Sequence, residues 1–438
     1  MLKKWLEKIL PHKPAQTGEC VRHPIQLHIP SRAAQEVLNQ LHRAGFQAYL
    51  VGGAVRDMLL GIEPKDFDVA SNATPEQVHQ LFRRSRIIGR RFQIVHVMMG
   101  GETVEVSTFR SGGKVRQNQH GRIMQDNAYG NIDQDALRRD FTCNTLYYDI
   151  KNSEIIDYHN GITDIQARQL VIIGNPTERY QEDPVRILRA VRLSGKLGFT
   201  IAPQTAAPIA CCAKLLQQEP VARLFDELLK ILLSGHATSC LKQLHTLGIS
   251  ANIHPLLNAM LTAAHAPHQH ISAQALHQTD QRLRENKSVS VGFILAALLW
   301  TPLQTRWQDA QTQGQSPAAA INTAIAHLRN DLEKGWGVPQ RFSATMREIW
   351  ALQAQFIYRR GARPFRLLTH PRFRAAYDFL LLRAQHDESV QECAQWWTQF
   401  QYANDSVRQS MTEQAPAIAK PNNKKRRHKP RKKKTHSE

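Results

Sequence analysis

The chain has 438 residues, of which 42% are hydrophobic, so it can bury two or more cores and a single small domain is excluded. Its formal net charge of +20 favours a polyanionic partner such as nucleic acid over an acidic small molecule. The six cysteines show neither CxxC spacing nor the density of a disulfide scaffold, which predicts a reduced, cytoplasmic protein. We expect no transmembrane segment, since no apolar run is long enough to span a bilayer.

The first 24 residues are predicted to be an extension or linker. Residues 1–10 could form a short basic amphipathic turn that touches a membrane surface, or a frayed terminus. From Ser31, apolar residues at helical spacing predict a helix that ends at Gly45. This helix should pack behind the first strand of the segment that follows.

That segment is predicted to fold as a strand, a short helix and a second strand. The first strand ends in Gly52 and Gly53, the helix covers residues 54–60, and the second strand carries Asp66 and Asp68. Because side chains two positions apart on a strand share a face, the two aspartates can hold hard cations together. The glycines let a backbone turn approach a ligand and offer its N–H groups to phosphate oxygens.

Mixed elements continue beyond the two aspartates. A capping-box pattern at residues 74–77 predicts a helix, and β-like runs at 94–99 and 103–109 flank a Gly-Gly turn, as in a hairpin. Residues 111–130 have no sustained period and predict a mobile loop beside the active site. A strand at 145–150 closes this part of the chain.

From about residue 170 the β pattern gives way to helical runs, so the predicted fold class is α+β. A mixed α/β head is followed by an all-helical neck and body and a disordered basic tail. The predicted helices cover residues 183–197, 220–233, 290–300, 321–334, 343–355, 372–384 and 390–400. The predicted divisions are an extension (1–24), the head (25–168), the neck (169–240), a body for RNA binding (241–405) and the tail (406–438).

The residues from Gly52 to Asp68 read GGAVRDMLLGIEPKDFD. They resemble the signature GGxVRDxLLGxxxxDxD of the class II nucleotidyltransferases, which comprise bacterial poly(A) polymerases and CCA-adding tRNA nucleotidyltransferases. The resemblance implies a nucleotidyltransferase head in which Asp66 and Asp68 hold two Mg²⁺ ions. It also implies a group of nucleotide-binding residues in this stretch, namely Gly52, Gly53, Arg56 and Asp57.

A third carboxylate usually completes such a site, and two candidates stay open. Glu105 lies in the strand VEVSTF, and Asp140 lies in RRDFTCN. The second of these segments matches the family motif RRDxxxN, in which Arg139 and Asn144 would contact the triphosphate or the ribose. The forked donors of arginine suit phosphate oxygens.

A third motif, EDPVRILRAVRL, begins at residue 182 and resembles the family pattern EDxxRxLRAxRF. Asp183 followed by proline predicts a helix start, so Asp183 and Arg186 should lie one turn apart. In the family these positions select the nucleotide without a nucleic-acid template, and Arg189 and Arg192 would extend the site toward phosphates. The departure at Leu193, where the family has Phe, affects a packing contact.

Other features favour the poly(A) branch over the CCA-adding branch. Arg90 and Arg91 lie in IIGRRF, which resembles an element that marks bacterial poly(A) polymerases. The resemblance implies that these two arginines bind the incoming nucleotide, by contacting its phosphates or by helping to fix the base pocket for adenine. Residues 363–378 resemble the body of the same branch. Residues 420–434 contain ten Lys or Arg and no acid, as in the tails of proteobacterial poly(A) polymerases. The predicted RNA-binding residues of the tail are Lys424, Lys425, Arg426, Arg427, Lys429, Arg431, Lys432, Lys433 and Lys434.

The sequence therefore predicts template-independent addition of AMP from ATP to RNA 3′ ends, in mRNA processing and turnover. A CCA-adding enzyme and a non-catalytic RNA-binding protein with a degenerate head are the alternatives. RNA 3′ ends are the expected partner, RNA-decay or RNA-chaperone proteins are candidates for docking on the tail, and a monomer is expected. His265, His268 and His270 are not expected to bind a metal, since no acid lies at ligand spacing.

Overall fold

The structure is a computed structural model that describes residues 20–89, 93–111, 116–117, 123–125, 129–249, 253–335 and 337–416. The chain divides into two compact units, and the division lies between Leu261 and Thr262. Among the described residues, no helix is both long and apolar enough to cross a membrane.

The first unit is built on an eight-stranded mixed sheet. The strands of the first unit are β1 (Val21–His23), β2 (Ala48–Val51), β3 (Phe67–Ser71), β4 (Ser85–Ile88), β5 (Ile94–Met99), β6 (Glu102–Thr108), β7 (Arg116–Gln117), β8 (Ile123–Gln125), β9 (Leu146–Asp149), β10 (Glu154–Asp157), β11 (Gln169–Leu170) and β12 (Thr200–Ile201). In the large sheet the spatial order is β1, β10, β9, β2, β3, β6, β5 and β4, and β3 and β6 form its parallel pair. A β7–β8 hairpin and a parallel β11–β12 pair form two small sheets.

Short helices connect and cover the strands of this sheet. Helix α1 (Arg32–Arg43) begins after Ser31, whose hydroxyl accepts the N–H of Ala34, and it buries Val37, Leu38 and Leu41 against the sheet. The other helices of this region are α2 (Gly53–Leu59), α3 (Pro75–Leu81), α4 (Ile132–Arg138) and α5 (Gly161–Gln166), with a 3₁₀ turn at Thr142–Asn144.

The rest of the first unit is mainly helical. Helix α7 (Val185–Leu197) packs against α10 (Val221–Leu232) and α11 (Ala237–Thr246). The helices up to the division are α6 (Pro176–Glu182), α7 (Val185–Leu197), α8 (Pro203–Ala206), α9 (Ile209–Cys212), a 3₁₀ segment (Ala213–Gln218), α10 (Val221–Leu232), α11 (Ala237–Thr246) and α12 (Pro255–His265), which contains the division itself.

The described part of the second unit is helical. Trp397 is fully buried at its core, contacts Phe356, Phe373 and Phe400, and donates its indole N–H to the Phe356 carbonyl at 2.8 Å. The helices are α13 (Ile271–Arg284), α14 (Val291–Leu298), α15 (Trp300–Thr312), α16 (Pro317–Gly335), α17 (Gln340–Gln353), α18 (Arg363–Leu368), α19 (Phe373–Ala384), a 3₁₀ turn (Glu388–Val390), α20 (Gln391–Tyr402) and α21 (Asp405–Gln414).

The predicted fold class is confirmed: a mixed α/β head with a sheet precedes a mostly helical remainder. The strand–helix–strand unit, the capping box at Thr74 and the hairpin of β5 and β6 form as predicted. One detail differs: β3 begins at Phe67, so it carries Asp68, whereas Asp66 lies just ahead of the strand that was predicted to carry both aspartates. The prediction that β structure ends near residue 170 was wrong in one place, because the short strand β12, at residues 200–201, pairs with β11. The predicted mobile loop at 111–130 lies largely outside the described residues, and its described part includes β7 and β8.

Candidate active site

Two carboxylates meet on neighbouring strands in the middle of the sheet. Asp68 in β3 is the register partner of Glu105 in the parallel strand β6. Register partners on paired strands point to the same face, so the two side chains lie side by side. Asp66 stands two positions before Asp68, just ahead of the strand, and is exposed. The pairing brings Glu105 to Asp68 from 37 positions further along the chain.

A tight turn brings backbone close to these acids. Gly52 joins β2 to α2 with a φ of +79°, in the left-handed region that favours glycine. A Cβ built on Gly52 would lie 3.5 Å from Oδ2 of Asp68, in van der Waals contact. Any residue other than glycine would therefore be strained here and would place carbon beside the carboxylate. Gly53 then starts α2, so the first N–H groups of this helix follow directly on the turn that lies beside Asp68.

The environment of Asp68 disfavours its charged form. Burial raises the pKa of Asp68 from 3.8 to about 6, Glu105 and Asp66 raise it by repulsion, and Arg139 opposes them. Within the described residues, no group of three or more His, Cys, Asp and Glu side chains is arranged to hold a metal ion alone. The acids nevertheless fit Mg²⁺, which usually binds one or two carboxylates and completes its shell with water and substrate phosphates.

A cavity of about 260 Å³ opens beside these acids. Asp68 and Glu105 line it together with Arg110, Arg138 and Arg139. Burial, followed by the positive charges of neighbouring arginines, lowers the pKa of Arg138 to about 10. Acids that suit cations thus face guanidinium groups that suit phosphates, and this combination matches a nucleoside triphosphate bound with divalent ions.

Arg139 is held rigidly at the wall of this cavity. Its Nε donates to Oδ2 of Asp135 at 3.0 Å and to the hydroxyl of Tyr147 at 2.9 Å. The Tyr147 hydroxyl in turn donates to Oδ2 of Asp135 at 2.7 Å. Arg139 therefore presents a fixed positive charge near Asp68, and this charge favours the ionised carboxylate and lowers the pKa of Asp68 against the effect of burial.

Asp140 does not line this cavity and is committed to a different partner. Its Oδ2 accepts two hydrogen bonds from Arg189 of α7, at 2.9 and 2.5 Å, and its Oδ1 accepts the N–H of Phe141 at 2.8 Å. Burial alone would raise the pKa of Asp140, but Arg189 outweighs it and lowers that pKa to about 2. Of the two sequence candidates for the third carboxylate, Glu105 is the one beside Asp68.

The predicted nucleotide-binding residues Arg56, Asp57 and Asn144 form a buried network. Arg56 is 4% exposed and donates to Oδ1 of Asp57 at 2.8 and 2.6 Å, and its Nη1 donates to Oδ1 of Asn144. The amide of Asn144 donates to Asp140 at 3.4 Å. This network links the first two sequence motifs, and through Asp140 and Arg189 it reaches the third.

The third motif differs in detail from the sequence prediction. Helix α7 begins at Val185, and Asp183 accepts the Val185 N–H through Oδ1 at 3.2 Å. Its Oδ2 accepts a hydrogen bond from Arg223 of α10 at 2.7 Å. Arg186 instead donates to the carbonyl of Arg179 at 2.7 Å and lies 3.3 Å from Glu182. Asp183 and Arg186 therefore hold different partners, and Arg223 joins the predicted pair by binding the carboxylate of Asp183.

Residues of α10 were missed by the sequence reasoning. Glu227 is buried, its Oε1 lies 3.8 Å from Arg189, and its Oε2 lies 3.7 Å from Arg192. Arg223 also pairs with Glu219 at 2.8 Å. The available signal was the spacing of Arg223 and Glu227, four apart on one face of α10, with Glu219 four positions before Arg223 and just ahead of the helix. Arg90, Arg91 and the tail residues 424–434 lie outside the described residues.

Three family models match the chain. "Poly A polymerase head domain" matches residues 48–171, "Probable RNA and SrmB- binding site of polymerase A" matches 198–261, and "Polymerase A arginine-rich C-terminus" matches 313–433. The first match contains the acids and the cavity described above.

Individual proteins give a consistent picture. The chain is 39% identical to Poly(A) polymerase I of Salmonella typhi over 448 residues, which cover 97% of this chain and 96% of that protein. It is 37% identical to a CCA-adding enzyme of Levilactobacillus brevis over 224 residues, 51% of this chain and 56% of that one. The CCA-adding enzyme of Bacillus stearothermophilus with CTP shares the fold, with a TM-score of 0.56 and 24% identity over 84% of this chain and 80% of that one.

Proposed function

The chain belongs to the bacterial poly(A) polymerase family and is an RNA nucleotidyltransferase, and we propose that it adds AMP from ATP to RNA 3′-hydroxyls without a template, releasing pyrophosphate. The observation that carries the proposal is the placement of Asp68 beside Glu105 in a cavity rimmed by arginines. This arrangement supplies what nucleotidyl transfer needs, because charge develops on both the attacking and the leaving oxygens.

The acids would hold Mg²⁺ at the reacting phosphate. Asp66 and Asp68 are the proposed ligands, and we add Glu105 as the third carboxylate. When bound, two Mg²⁺ ions lower the pKa of the RNA 3′-hydroxyl and stabilise the leaving pyrophosphate. The N–H groups after Gly52 and the guanidinium of Arg139 would orient the triphosphate so that the α-phosphate lies in line with the hydroxyl.

The nucleotide would be chosen at the start of α7. Asp183 and Arg186 are the proposed base-reading residues, since one accepts and the other donates hydrogen bonds. Arg223 fixes the carboxylate of Asp183, and the Arg179 carbonyl fixes the guanidinium of Arg186. Asp140 would act as a positioning residue, because it holds α7 to the head through Arg189.

The near full-length likeness to a poly(A) polymerase supports ATP as the repeated substrate. A role in mRNA processing and turnover, a cytoplasmic location, a monomeric state and docking of RNA-decay or RNA-chaperone proteins on the basic tail belong to the same proposal. The fold shared with CCA-adding enzymes keeps tRNA repair as the second candidate.

Extension of an unstructured RNA tests the proposal. Purified protein with Mg²⁺ and ATP should lengthen the RNA, and Asp68→Ala should abolish this extension. Addition of two C residues and then a single A to a truncated tRNA would support the second candidate instead. Salt-sensitive RNA binding without any incorporation would indicate a degenerate head.

A further inference from the structure

A second cavity in the first unit collects positive charge. It has a volume of about 450 Å³ and is lined by four cationic side chains, Lys65, Arg192, Lys196 and Lys230, and by the carboxylate of Asp226. We call it the four-cation cavity. The leucines at 229 and 233 and the serine at 234 complete its wall. Cationic groups above an apolar surface suit a phosphate group that is linked to a sugar.

Distant parts of the sequence build this cavity. Arg192 and Lys196 are four residues apart on α7 and therefore share a face, and Lys230 comes from α10, which packs against α7. Lys65 is the residue before Asp66, so one rim of the cavity is a single peptide unit from a proposed metal ligand.

The cations of this cavity are crowded and only partly neutralised. Lys230 lies 2.8 Å from Glu227, and the same buried carboxylate serves Arg192 and Arg189. Within the described residues, Lys65 and Lys196 form no ion pair. The nearby carboxylate of Asp57 is already paired with Arg56, at 2.6 Å from its Oδ1. Burial lowers the pKa of Lys196, Asp57 opposes this, and Arg56, Arg192 and Lys65 lower it further by repulsion.

We infer that the four-cation cavity binds a backbone phosphate of the RNA just upstream of its 3′ end. The inference rests on the proposed function, which requires the RNA end and the nucleotide to meet at Asp66 and Asp68. A bound phosphate would neutralise the excess positive charge, and the apolar wall would contact the adjoining ribose.

The nucleotide is assigned to the other cavity by the contacts of the third motif. Arg186 hydrogen-bonds to the Arg179 carbonyl, and Arg179 donates to the carbonyls of Arg138 and Arg139 at 2.8 and 2.6 Å. Arg138 and Arg139 line the cavity that contains Asp68 and Glu105. The proposed nucleotide-selecting residues therefore connect to the first cavity, which leaves the four-cation cavity for the second substrate.

The experiment removes single charges from the full-length protein and measures binding of a short, labelled oligoadenylate without ATP. Lys65→Gln and Lys196→Gln should each weaken binding about fivefold and reduce the slope of log K against log salt by up to about 0.7, the value for complete loss of one phosphate contact to a single strand. Lys242→Gln is the matched control, because Lys242 is exposed on α11 of the same unit and does not line the cavity. Lys196→Arg should restore binding.

Steady-state kinetics then identifies the source of the phosphate. The KM for RNA should rise in the two variants, and the KM for ATP should stay at the parent value. In addition, a series of oligoadenylates can each carry one neutral methylphosphonate linkage at a different position near the 3′ end. At one of these positions the parent and Lys196→Gln should bind the oligoadenylate with equal affinity, because the phosphate charge that Lys196 contacts is already absent. That position would identify the bound phosphate.

Two results would overturn the inference: unchanged oligoadenylate affinity and salt slope in both variants, or a raised KM for ATP with unchanged RNA binding. The binding assay needs no catalysis. If the parent binds RNA but adds no AMP, the proposed function fails, and a flattened salt slope in the variants still supports the cavity as an RNA phosphate site.

Discussion

The ion pair between Asp140 and Arg189 offers a sharp test of how the site is held together. Asp140→Asn removes the charge and keeps the size of the side chain. The pKa of Asp140 falls from 3.8 to about 2 in the folded protein because Arg189 outweighs the effect of burial. This difference corresponds to about 2.5 kcal/mol of native stability at neutral pH. The contribution is complete above the unfolded pKa and is lost as pH falls from about 4 toward 2.

The assay combines stability with catalysis. Urea unfolding should show that Asp140→Asn lowers the free energy of unfolding by about 2 to 3 kcal/mol, and a double-mutant cycle with Arg189→Gln should give a coupling energy of about 2 kcal/mol. The value of kcat/KM for ATP should fall on the order of tenfold to a hundredfold, because α7 would shift relative to the acids. The Mg²⁺ concentration that gives half-maximal rate should stay at the parent value.

The Mg²⁺ dependence separates a positioning role from a metal-binding role. If Asp140→Asn strongly raises the Mg²⁺ requirement while its stability matches that of the parent, Asp140 is a metal ligand and the assignment of Glu105 is wrong. A coupling energy near zero would equally refute the reasoning. Asp309→Asn, which neutralises an exposed carboxylate in the second unit, controls for the general effect of charge.

Three further predictions concern Glu105, Asp68 and the charge of the C-terminal tail. Glu105→Gln should raise the Mg²⁺ requirement with less than about 1 kcal/mol change in stability, since Glu105 is exposed; an unchanged requirement in a titration of rate against Mg²⁺ would exclude it as a ligand. When a chelator has removed divalent ions, the contribution of Asp68 to stability should rise as pH falls through about 6 toward 4, because its folded pKa lies above its unfolded pKa. Asp68→Asn should therefore be more stable than the parent above pH 6. Equal melting temperatures of the two proteins would contradict this prediction. Deletion of residues 420–438 should reduce RNA affinity and flatten its salt dependence while sparing AMP transfer at saturating RNA, and an unchanged salt slope would count against the tail as an RNA contact.

Local sequence signals predicted the local parts of the site well. The two glycines, the short helix and Asp68 are close in sequence, so turn chemistry and the strand pattern were enough to place the turn beside Asp68, although Asp66 lies just ahead of β3. The capping box at Thr74 and the Gly-Gly hairpin of β5 and β6 are equally local. Each of these features depends on residues within a few positions of one another.

The remaining contacts depend on which strands and helices become neighbours. Glu105 reaches Asp68 only because β6 joins β3 in parallel, and no sequence pattern distinguished it from Asp140. Asp183 looked like a helix start beside Arg186, but Arg223 of α10 holds its carboxylate. The four-cation cavity likewise combines Lys65 with α7 and α10. Such groupings arise from tertiary packing, which periodicity does not reveal.

The most direct test of the central claim is to sequence the tails that the protein adds when all four nucleoside triphosphates compete. The reaction would contain Mg²⁺, an unstructured RNA and a tRNA lacking its 3′-terminal CCA. We predict long tails of A on the unstructured RNA and none with Asp68→Asn. Tails of CCA confined to the tRNA, or no tails on either RNA, would contradict the assignment.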